Sequence, residues 1–378
     1  KYYDNRNFYH AENNFLEAIK LNPSKSEYLF NLGNACYAQG KYKLSLDHYN
    51  NSLKLNYDPE TLSCIGNSLR SIGKYSEAMK FYTAALKENP ALIHTEIELT
   101  HLKQNVCDWS NIGYHFGNIK NHINNIDSGS ISPFTVLSMP GISCNDQLKV
   151  SSSWAQNLAK KVQKVKRNNN KNEKIKVGYL SSDFRLHPLY FLIIDIFKNH
   201  NKDEFNITLY YSGNNEDTAA HNDFKSLGFD FINISELSDK EAAKLIASMS
   251  IDILVDLSGF TKNSRSILAA YKPAKKHVNW LGFPSTMGFI NSSPLYEHIL
   301  VDRYLVPDSH KSHYAENVIY LPNCYQPNIE NRASLLSVNK KTYGFSDDIF
   351  IFASFGQSIK ITEDQFNLWL RILKKIPN

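Results

Sequence analysis

Cysteine is scarce in this 378-residue chain: five residues, Cys36, Cys64, Cys107, Cys144 and Cys324, odd in number, widely spread and without a CxxC pair. That pattern excludes a disulfide framework and a paired-cysteine zinc site. Long apolar runs are missing as well. Tyr190–Ile194 and Ile251–Leu257 fall far short of the ~20 residues needed to span a bilayer, and no signal peptide is visible at the start. Charge of one sign is also lacking. The 42 Lys and Arg residues are interspersed with 37 Asp and Glu, and the net +5 is too weak for a nucleic-acid footprint. There is no Gly-rich dinucleotide fingerprint and no P-loop, which disfavours a NAD enzyme or an ATPase. No HExxH or carboxylate-rich cluster suggests a metal. With 16 glycines against 22 tyrosines and 21 phenylalanines, a disordered or low-complexity chain is excluded too.

What remains is the composition of a soluble globular protein, 42% apolar and 21% charged, long enough to bury two or more cores. A reducing cytosol is the simplest compartment. The chain opens at Lys1 without a methionine and stops at Pro377-Asn378 just after an expected helix, so it is expected to be a piece of a longer protein.

The first hundred residues repeat. Leu32-Gly33-Asn34 recurs as Ile65-Gly66-Asn67, and Gly40-Lys41-Tyr42 as Gly73-Lys74-Tyr75. Ser45, Tyr49 and Ser52 correspond to Ala78, Tyr82 and Ala85, and the same register appears earlier as Ala11, Phe15 and Ala18. Offsets of 34 and 33 residues match the tetratricopeptide period of about 34. Each unit is expected to be two antiparallel helices. Small residues let the helices approach, aromatics fill the gap opposite, and the Gly-Lys-Tyr turn reverses the chain. About two and a half repeats are visible, the first one cut, and further repeats upstream are expected because stacked repeats need neighbours. The array by itself implies only recognition on a concave surface.

Helical pattern continues over 93–102 and reaches Cys107-Asp108-Trp109, with Cys107 read as a small buried residue and Trp109 as an anchor. A helix is expected over 112–124, a loop over 131–134 leading into 136–139, and a further helix over 147–165. The stretch from Lys160 to Lys176 carries eight Lys or Arg residues. It reads either as a site for an anionic partner or, favoured by Asn168-Asn169-Asn170, as a solvated interdomain linker.

From Ile175 the pattern changes to short strands alternating with helices. Strands are expected over 175–180, 205–212, 230–234, 251–257, 277–281 and 318–321. Helices are expected over 190–198, 221–227, 240–248 and 264–270. In open α/β sheets the ligand crevice lies at the carboxyl ends of the strands. The loops opening at Ser181, Ser258 and Gly282 all follow strands and should line it. The first loop offers Asp183 and His187, four residues apart, beside Pro188. A histidine there serves as general base or hydrogen-bond donor, or simply caps the following helix.

Three motifs resemble the catalytic domain of O-GlcNAc transferases: V-G-Y-L-S-S-D-F-x-x-H-P (Val177–Pro188), D-L-S-G-F-T-K-x-x-R (Asp256–Arg265) and W-L-G-F-P-S-T-x-G (Trp280–Gly288). The Cys107-Asp108-Trp109 connector after tetratricopeptide repeats and the late segment F-x-Q-x-x-K-I (Phe355–Ile361) resemble that family too, in family order over nearly the whole chain. The resemblance implies an α plus α/β fold, a tetratricopeptide superhelix followed by a Rossmann-like domain of a GT-B glycosyltransferase, with a second Rossmann-like domain truncated. The implied boundaries are 1–106 for the repeats, 107–172 for a helical connector and basic linker, 173–335 for the first Rossmann-like domain and 336–378 for the start of the second, donor-binding one.

The implied activity is inverting transfer of GlcNAc from UDP-GlcNAc to Ser or Thr hydroxyls of proteins, without a metal ion or other cofactor. By resemblance, His187 and Asp183 are catalytic, as proton acceptor or hydrogen-bond contact, and Lys360 grips the diphosphate. Gln357 lies near the uridine-phosphate end, and Leu281, Gly282 and Pro284 shape the sugar pocket. The implied partners are a nucleotide sugar and protein or peptide acceptors, recognised partly by the repeats, with no nucleic acid and no membrane. Phe134 and Arg185-Leu186 depart from animal members and resemble bacterial ones. Two alternatives stand beside this reading. One is a protein O-fucosyltransferase using GDP-fucose, which the His187-Pro188 pair disfavours. The other is a non-catalytic tetratricopeptide scaffold, which retention of Asp183, His187 and Lys360 disfavours. The chain alone is expected to bind UDP weakly and to be inactive.

Overall fold

A computed structural model describes residues 8–125, 130–160, 162–168, 173–213, 218–328, 339–346 and 348–376. The chain divides into two compact units, residues 1–122 with 348–378, and residues 123–347.

The first unit opens with six helices in antiparallel hairpins: α1 (Phe8–Leu21), α2 (Ser26–Ala38), α3 (Tyr42–Leu55), α4 (Pro59–Ser71), α5 (Tyr75–Glu88) and α6 (Ile93–Asn105). α7 (Ile112–Asn124) follows. Gly40 and Gly73 reverse the chain with φ of +75° and +83°, conformations that side chains with a Cβ adopt only with strain. The repeat register is realised around two aromatics. Tyr49 lies flat on Gly33 and Tyr82 on Gly66, each ring so near that a Cβ on the glycine would sit 2.5–2.6 Å from ring carbon. Each tyrosine then turns its hydroxyl back onto the asparagine of its own Gly-Asn pair, Tyr49 Oη donating to Asn34 Oδ1 and Tyr82 Oη to Asn67 Oδ1, both at 2.7 Å. In the first unit Ala11 is buried but Phe15 and Ala18 are only half-buried, because no described helix precedes α1 to cover them.

α6 ends on Cys107, which adopts φ +55° while Asp108 N reaches back to Lys103 O at 2.8 Å. That is a left-handed helix closure, so Cys107 is half-buried and serves the backbone instead of packing as a core residue. Trp109 is an anchor: its Nε1 donates to Ile361 O (3.1 Å) and its ring packs at a tilt, 5.4 Å from that of Phe366. Gln104 Nε2 donates to Ile359 O (3.2 Å) and Ser358 Oγ to Asn105 O (2.8 Å). These contacts draw the segment from 348 onward into the repeat unit. Its described part holds a 3-10 turn, Ser358–Lys360, and a helix, Glu363–Lys375, without a strand.

The second unit begins with the one-turn helix α8 (Pro133–Val136), where a loop was expected; Pro133 at its first position favours the turn. α9 (Cys144–Ala159) starts earlier than expected because Ser143 and Asp146 form a capping box, and it ends before 165. Beyond it the basic stretch, over the described residues 162–168, keeps Lys164 and Lys166 exposed while its backbone and Arg167 bond to the elements packed around the sheet. Val165 N donates to Tyr271 O (2.9 Å), Asn168 N to Ala247 O (3.2 Å) and Arg167 Nη1 to Ala274 O (2.6 Å). Lys161 and residues 169–172 lie outside the described residues.

Then β1 (Ile175–Ser181), α10 (Pro188–Lys198), β2 (Phe205–Tyr211), α11 (Ala219–Lys225), β3 (Asp230–Asn233), α12 (Asp239–Ser248), β4 (Ile253–Asp256) and β5 (Lys276–Trp280) alternate as expected. A small hairpin, β6 (Phe289–Ile290) with β7 (Ser293–Pro294), precedes β8 (His298–Val301) and β9 (Asn317–Tyr320). β8 was not anticipated: its four residues carry too little pattern to separate from a loop. The expected helix at 264–270 is a 3-10 helix, Ser266–Tyr271.

The sheet runs β3-β2-β1-β4-β5-β8-β9, every described pairing parallel. This order reverses direction between β1 and β4, the doubly wound, Rossmann-like arrangement. Alternating side chains serve two cores. Val177, Tyr179 and Leu209 pack on Ile193 and Phe197 of α10, whereas Leu180, Tyr210 and Leu254 pack on Ala242 and Ile246 of α12. The loops after β1, β4 and β5 therefore emerge together at the carboxyl edge beside the switch point.

The Gly66–Tyr82 contact yields a direct test. Gly66→Ala should destabilise the repeat unit by about 1–3 kcal/mol, because the added methyl has no room against a buried ring. Urea unfolding followed by far-UV circular dichroism measures it; an unchanged or raised midpoint would show that the ring does not depend on a bare glycine.

Candidate active site

The β1 loop is pinned from below before it presents anything upward. Phe184 is fully buried among Phe197, Phe224, Phe231 and Tyr211, and its carbonyl accepts the Nδ1 proton of the buried His221 at 2.7 Å. Asp183 stands half-buried on this base. Its N–H donates to Ser181 Oγ (2.9 Å), and its carboxylate accepts from Ser182 Oγ (3.2 Å) and from Arg185 Nη2 (3.2 Å) and Nε (3.3 Å).

His187 caps α10. Its backbone is extended and Nδ1 accepts from Leu189 N at 3.2 Å, with Pro188 at the first helical position. The cap uses only one ring nitrogen, so it does not exclude a second role for the other. With Nδ1 held as an acceptor, the neutral ring carries its proton on Nε2 and presents a donor.

The loops after β4 and β5 are pressed backbone to backbone. Gly282 N donates to Leu257 O (3.1 Å) and also to Trp280 O (3.1 Å), closing a three-residue turn at Leu281, whose φ is +80°. That hand of γ-turn is strained for a residue with a side chain and persists only where the surroundings enforce it. They do so here: Leu281 is buried, and a Cβ on Gly282 would lie 2.3 Å from Leu257 O. Gly282 itself is exposed and Pro284 half-buried. Asn279, beneath them, donates to Phe283 O (2.9 Å) and Ser285 O (3.2 Å).

Two carboxylates that the sequence did not single out hold this edge. Asp256 Oδ1 accepts from Ser258 N (2.8 Å) and Gly259 N (3.0 Å); Oδ2 accepts from Tyr296 Oη (2.5 Å) and lies 3.0 Å from Ser266 Oγ. Burial, and then Asp256 beside it, push the Tyr296 phenol well above its ordinary value, so it stays a donor. Glu316, fully buried, accepts from Met287 N (2.5 Å) and Thr286 Oγ1 (2.8 Å). Burial pushes its carboxyl up to about 7 against the opposing pull of those donors. Asp256 opens the D-L-S-G-F-T-K motif and could have been found there; Glu316 had no local signal.

An open cavity of about 400 Å³ lies at His187, between the start of α10 and residues Gln326 and Asn328 beyond β9. Asp183 with His187, and Leu281 with Gly282 and Pro284, thus occupy two loops of one sheet edge, with the β4 loop between them. Gln357 and Lys360 belong to the repeat unit, both exposed, Gln357 preceding and Lys360 ending the 3-10 turn that Ser358 and Ile359 fasten to α6. Among the described residues no group of three His, Cys, Asp or Glu could hold a metal ion, and no helix is long and apolar enough to cross a membrane.

Comparison with known proteins agrees with this geometry. Residues 144–331 match glycosyl transferase family 41, and residues 26–58 and 65–92 match tetratricopeptide repeats. The chain is 30% identical over 303 residues to a probable UDP-N-acetylglucosamine–peptide N-acetylglucosaminyltransferase, SEC, of Arabidopsis thaliana, covering 74% of this chain and 30% of that one. It is 29% identical over 154 residues to the UDP-N-acetylglucosamine–peptide N-acetylglucosaminyltransferase of Caenorhabditis elegans, covering 40% and 13%. It therefore spans less than a third of the length of these relatives. A mutant of the Thermobaculum terrenum O-GlcNAc transferase superposes over 98% of this chain and 64% of its own, with a TM-score of 0.62 at 19% identity, a likeness of fold.

The buried Glu316 makes stability depend on pH in a stated direction. Unfolded, the carboxyl ionises near 4.5; folded, it holds its proton to about 7. Its contribution is complete below 4.5 and lost as pH rises to about 7, a total on the order of 3 kcal/mol. Urea unfolding of the wild type and Glu316→Gln between pH 4 and 8 should give a stability difference that declines across this window and is flat above it. A difference independent of pH would remove the assignment.

Proposed function

Because this chain is a tetratricopeptide-repeat member of glycosyl transferase family 41, we propose that the protein transfers N-acetylglucosamine from UDP-GlcNAc to Ser or Thr hydroxyls of proteins, with inversion at the anomeric carbon. The observation that carries the reading is the β1 loop, where Asp183 and a half-buried His187 stand at the carboxyl edge of the sheet beside its switch point. In this reaction the acceptor oxygen forms a bond to the anomeric carbon as the bond to the diphosphate breaks, and UDP departs.

Each role follows from the chemistry on offer. His187, with Nδ1 engaged by Leu189 N–H, donates from Nε2 to an oxygen of the reacting pair and orients it. Acting as a base through Nε2 would require moving its proton to Nδ1, against the Leu189 donor. Proton acceptance therefore falls to Asp183, whose carboxylate Ser182 and Arg185 hold in place. Leu281, Gly282 and Pro284 shape the sugar pocket, the bare Gly282 allowing close approach to backbone. Lys360 neutralises charge developing on the leaving diphosphate and Gln357 contacts the uridine-phosphate end. The proposal calls for no metal ion. The tetratricopeptide array selects the acceptor, and a cytoplasmic setting suits such substrates.

UDP release with a protein acceptor tests these assignments. His187→Ala and Lys360→Met should each lower the rate by at least about 100-fold, and UDP should compete with the donor more strongly than GDP. A near-wild-type rate in either variant would remove the role assigned to that residue, and stronger competition by GDP would point to a fucosyl donor.

A further inference from the structure

The cavity at His187 has walls that none of these roles uses. Its floor is apolar: Leu186, Pro188, Phe191 and Leu192. Leu186 is 62% exposed and Phe191 46% exposed. The fold does not need them, because α10 packs on the sheet through Leu189, Ile193, Ile194 and Phe197. Two large apolar side chains left together in water beside a polar ring mark a binding surface more than a packing accident.

The opposite wall is assembled by tertiary structure. After β9 the chain turns back across the carboxyl edge, with Leu321 N on Val301 O (2.7 Å), Tyr325 N on Asp302 Oδ2 (2.8 Å) and Trp280 Nε1 on Tyr325 O (3.1 Å). That path carries Gln326 and Asn328 to the rim facing α10. The Gln326 amide is of the kind that bonds a peptide backbone, since it offers both donor and acceptor. Among the described residues that line the cavity none is Lys, Arg, Asp or Glu. At about 400 Å³ it has room for a large side chain, whose entry would release water from the apolar walls.

We propose that this cavity is an acceptor subsite, taking a large aliphatic or aromatic side chain that flanks the modified Ser or Thr. The inference rests on the transferase reading, in which His187 contacts the reacting pair: a polypeptide whose hydroxyl meets His187 must lay its neighbouring residues along the wall that His187 shares with Leu186 and Phe191. Phe191 and Leu186 are then specificity-determining residues, and Gln326 contacts the acceptor backbone.

The test uses the full-length protein and Ser- or Thr-centred peptides scanned with Leu, Phe, Ala or Asp at each position up to about three residues from the hydroxyl, a reach of roughly 10 Å in an extended chain. Glycosylated peptide is quantified by mass spectrometry. The wild type should prefer Leu or Phe at one flanking position. Phe191→Ala and Leu186→Asp should each reduce kcat/KM for that peptide by at least about tenfold, chiefly through KM, and leave the Ala-flanked peptide unchanged. Both sites are surface-exposed, and matching thermal melts verify the folds. Transfer without a flanking apolar preference, or a preference that survives in both variants, overturns the subsite and leaves the transferase reading intact. Absence of transfer to any peptide or protein overturns that reading and the subsite together.

Discussion

One buried carboxylate organises the carboxyl edge of the sheet. Asp256 ends β4 with almost no exposure and takes the N–H groups of Ser258 and Gly259 on one oxygen and the Tyr296 hydroxyl on the other, with Ser266 beside it. A carboxylate so far from water is tolerable only when its lone pairs are filled. Filling them draws together the loop after β4, the 3-10 segment at Ser266 and the approach to β8. The β5 loop then has one way to lie: over Leu257 O, with glycine at 282 because nothing larger fits, and with Leu281 forced to positive φ. The strain at Leu281 and the close packing of two loops are consequences of the same hub.

The β1 loop reaches the same edge by a different route, through an aromatic anchor and not a charge. Phe184 goes down into the core and His221 fastens its carbonyl, which leaves Asp183 and His187 facing out on either side of it. His187 caps its helix with Nδ1, and that modest local duty fixes which nitrogen remains for chemistry. A residue that the sequence left open between cap and catalytic group is a cap in the structure, and the cap leaves Nε2 as the ring nitrogen open to a ligand.

The repeat unit shows a parallel economy. A glycine admits a tyrosine ring, and the tyrosine hydroxyl returns to the asparagine beside that glycine, so three residues of each L-G-N…Y register support one another. The segment bearing Gln357 and Lys360 is attached here through hydrogen bonds of Gln104, Trp109 and Ser358 and the Trp109–Phe366 contact, while the Gln357 and Lys360 side chains stay exposed. Exposure suits a role toward a ligand better than a role in packing.

The sequence alone determined whatever local pattern can carry. The 33- and 34-residue spacing of small and aromatic residues specified the hairpins, and alternation of short apolar runs with helices specified a parallel sheet whose strand ends carry Asp183, His187, Leu281, Gly282 and Pro284. It failed where pattern is short or distant. β8 offers four residues, and the hydrogen bonds of the basic stretch leave no local trace because their partners, Tyr271, Ala274 and Ala247, lie far along the chain. Only the tertiary structure decided that Glu316 braces Thr286, that Gln326 and Asn328 wall a cavity with α10, and that Gln104 meets Ile359, 255 positions on. Periodicity records which face of an element is buried; it holds no record of which distant backbone group will satisfy a buried donor or acceptor, and that choice shapes this site.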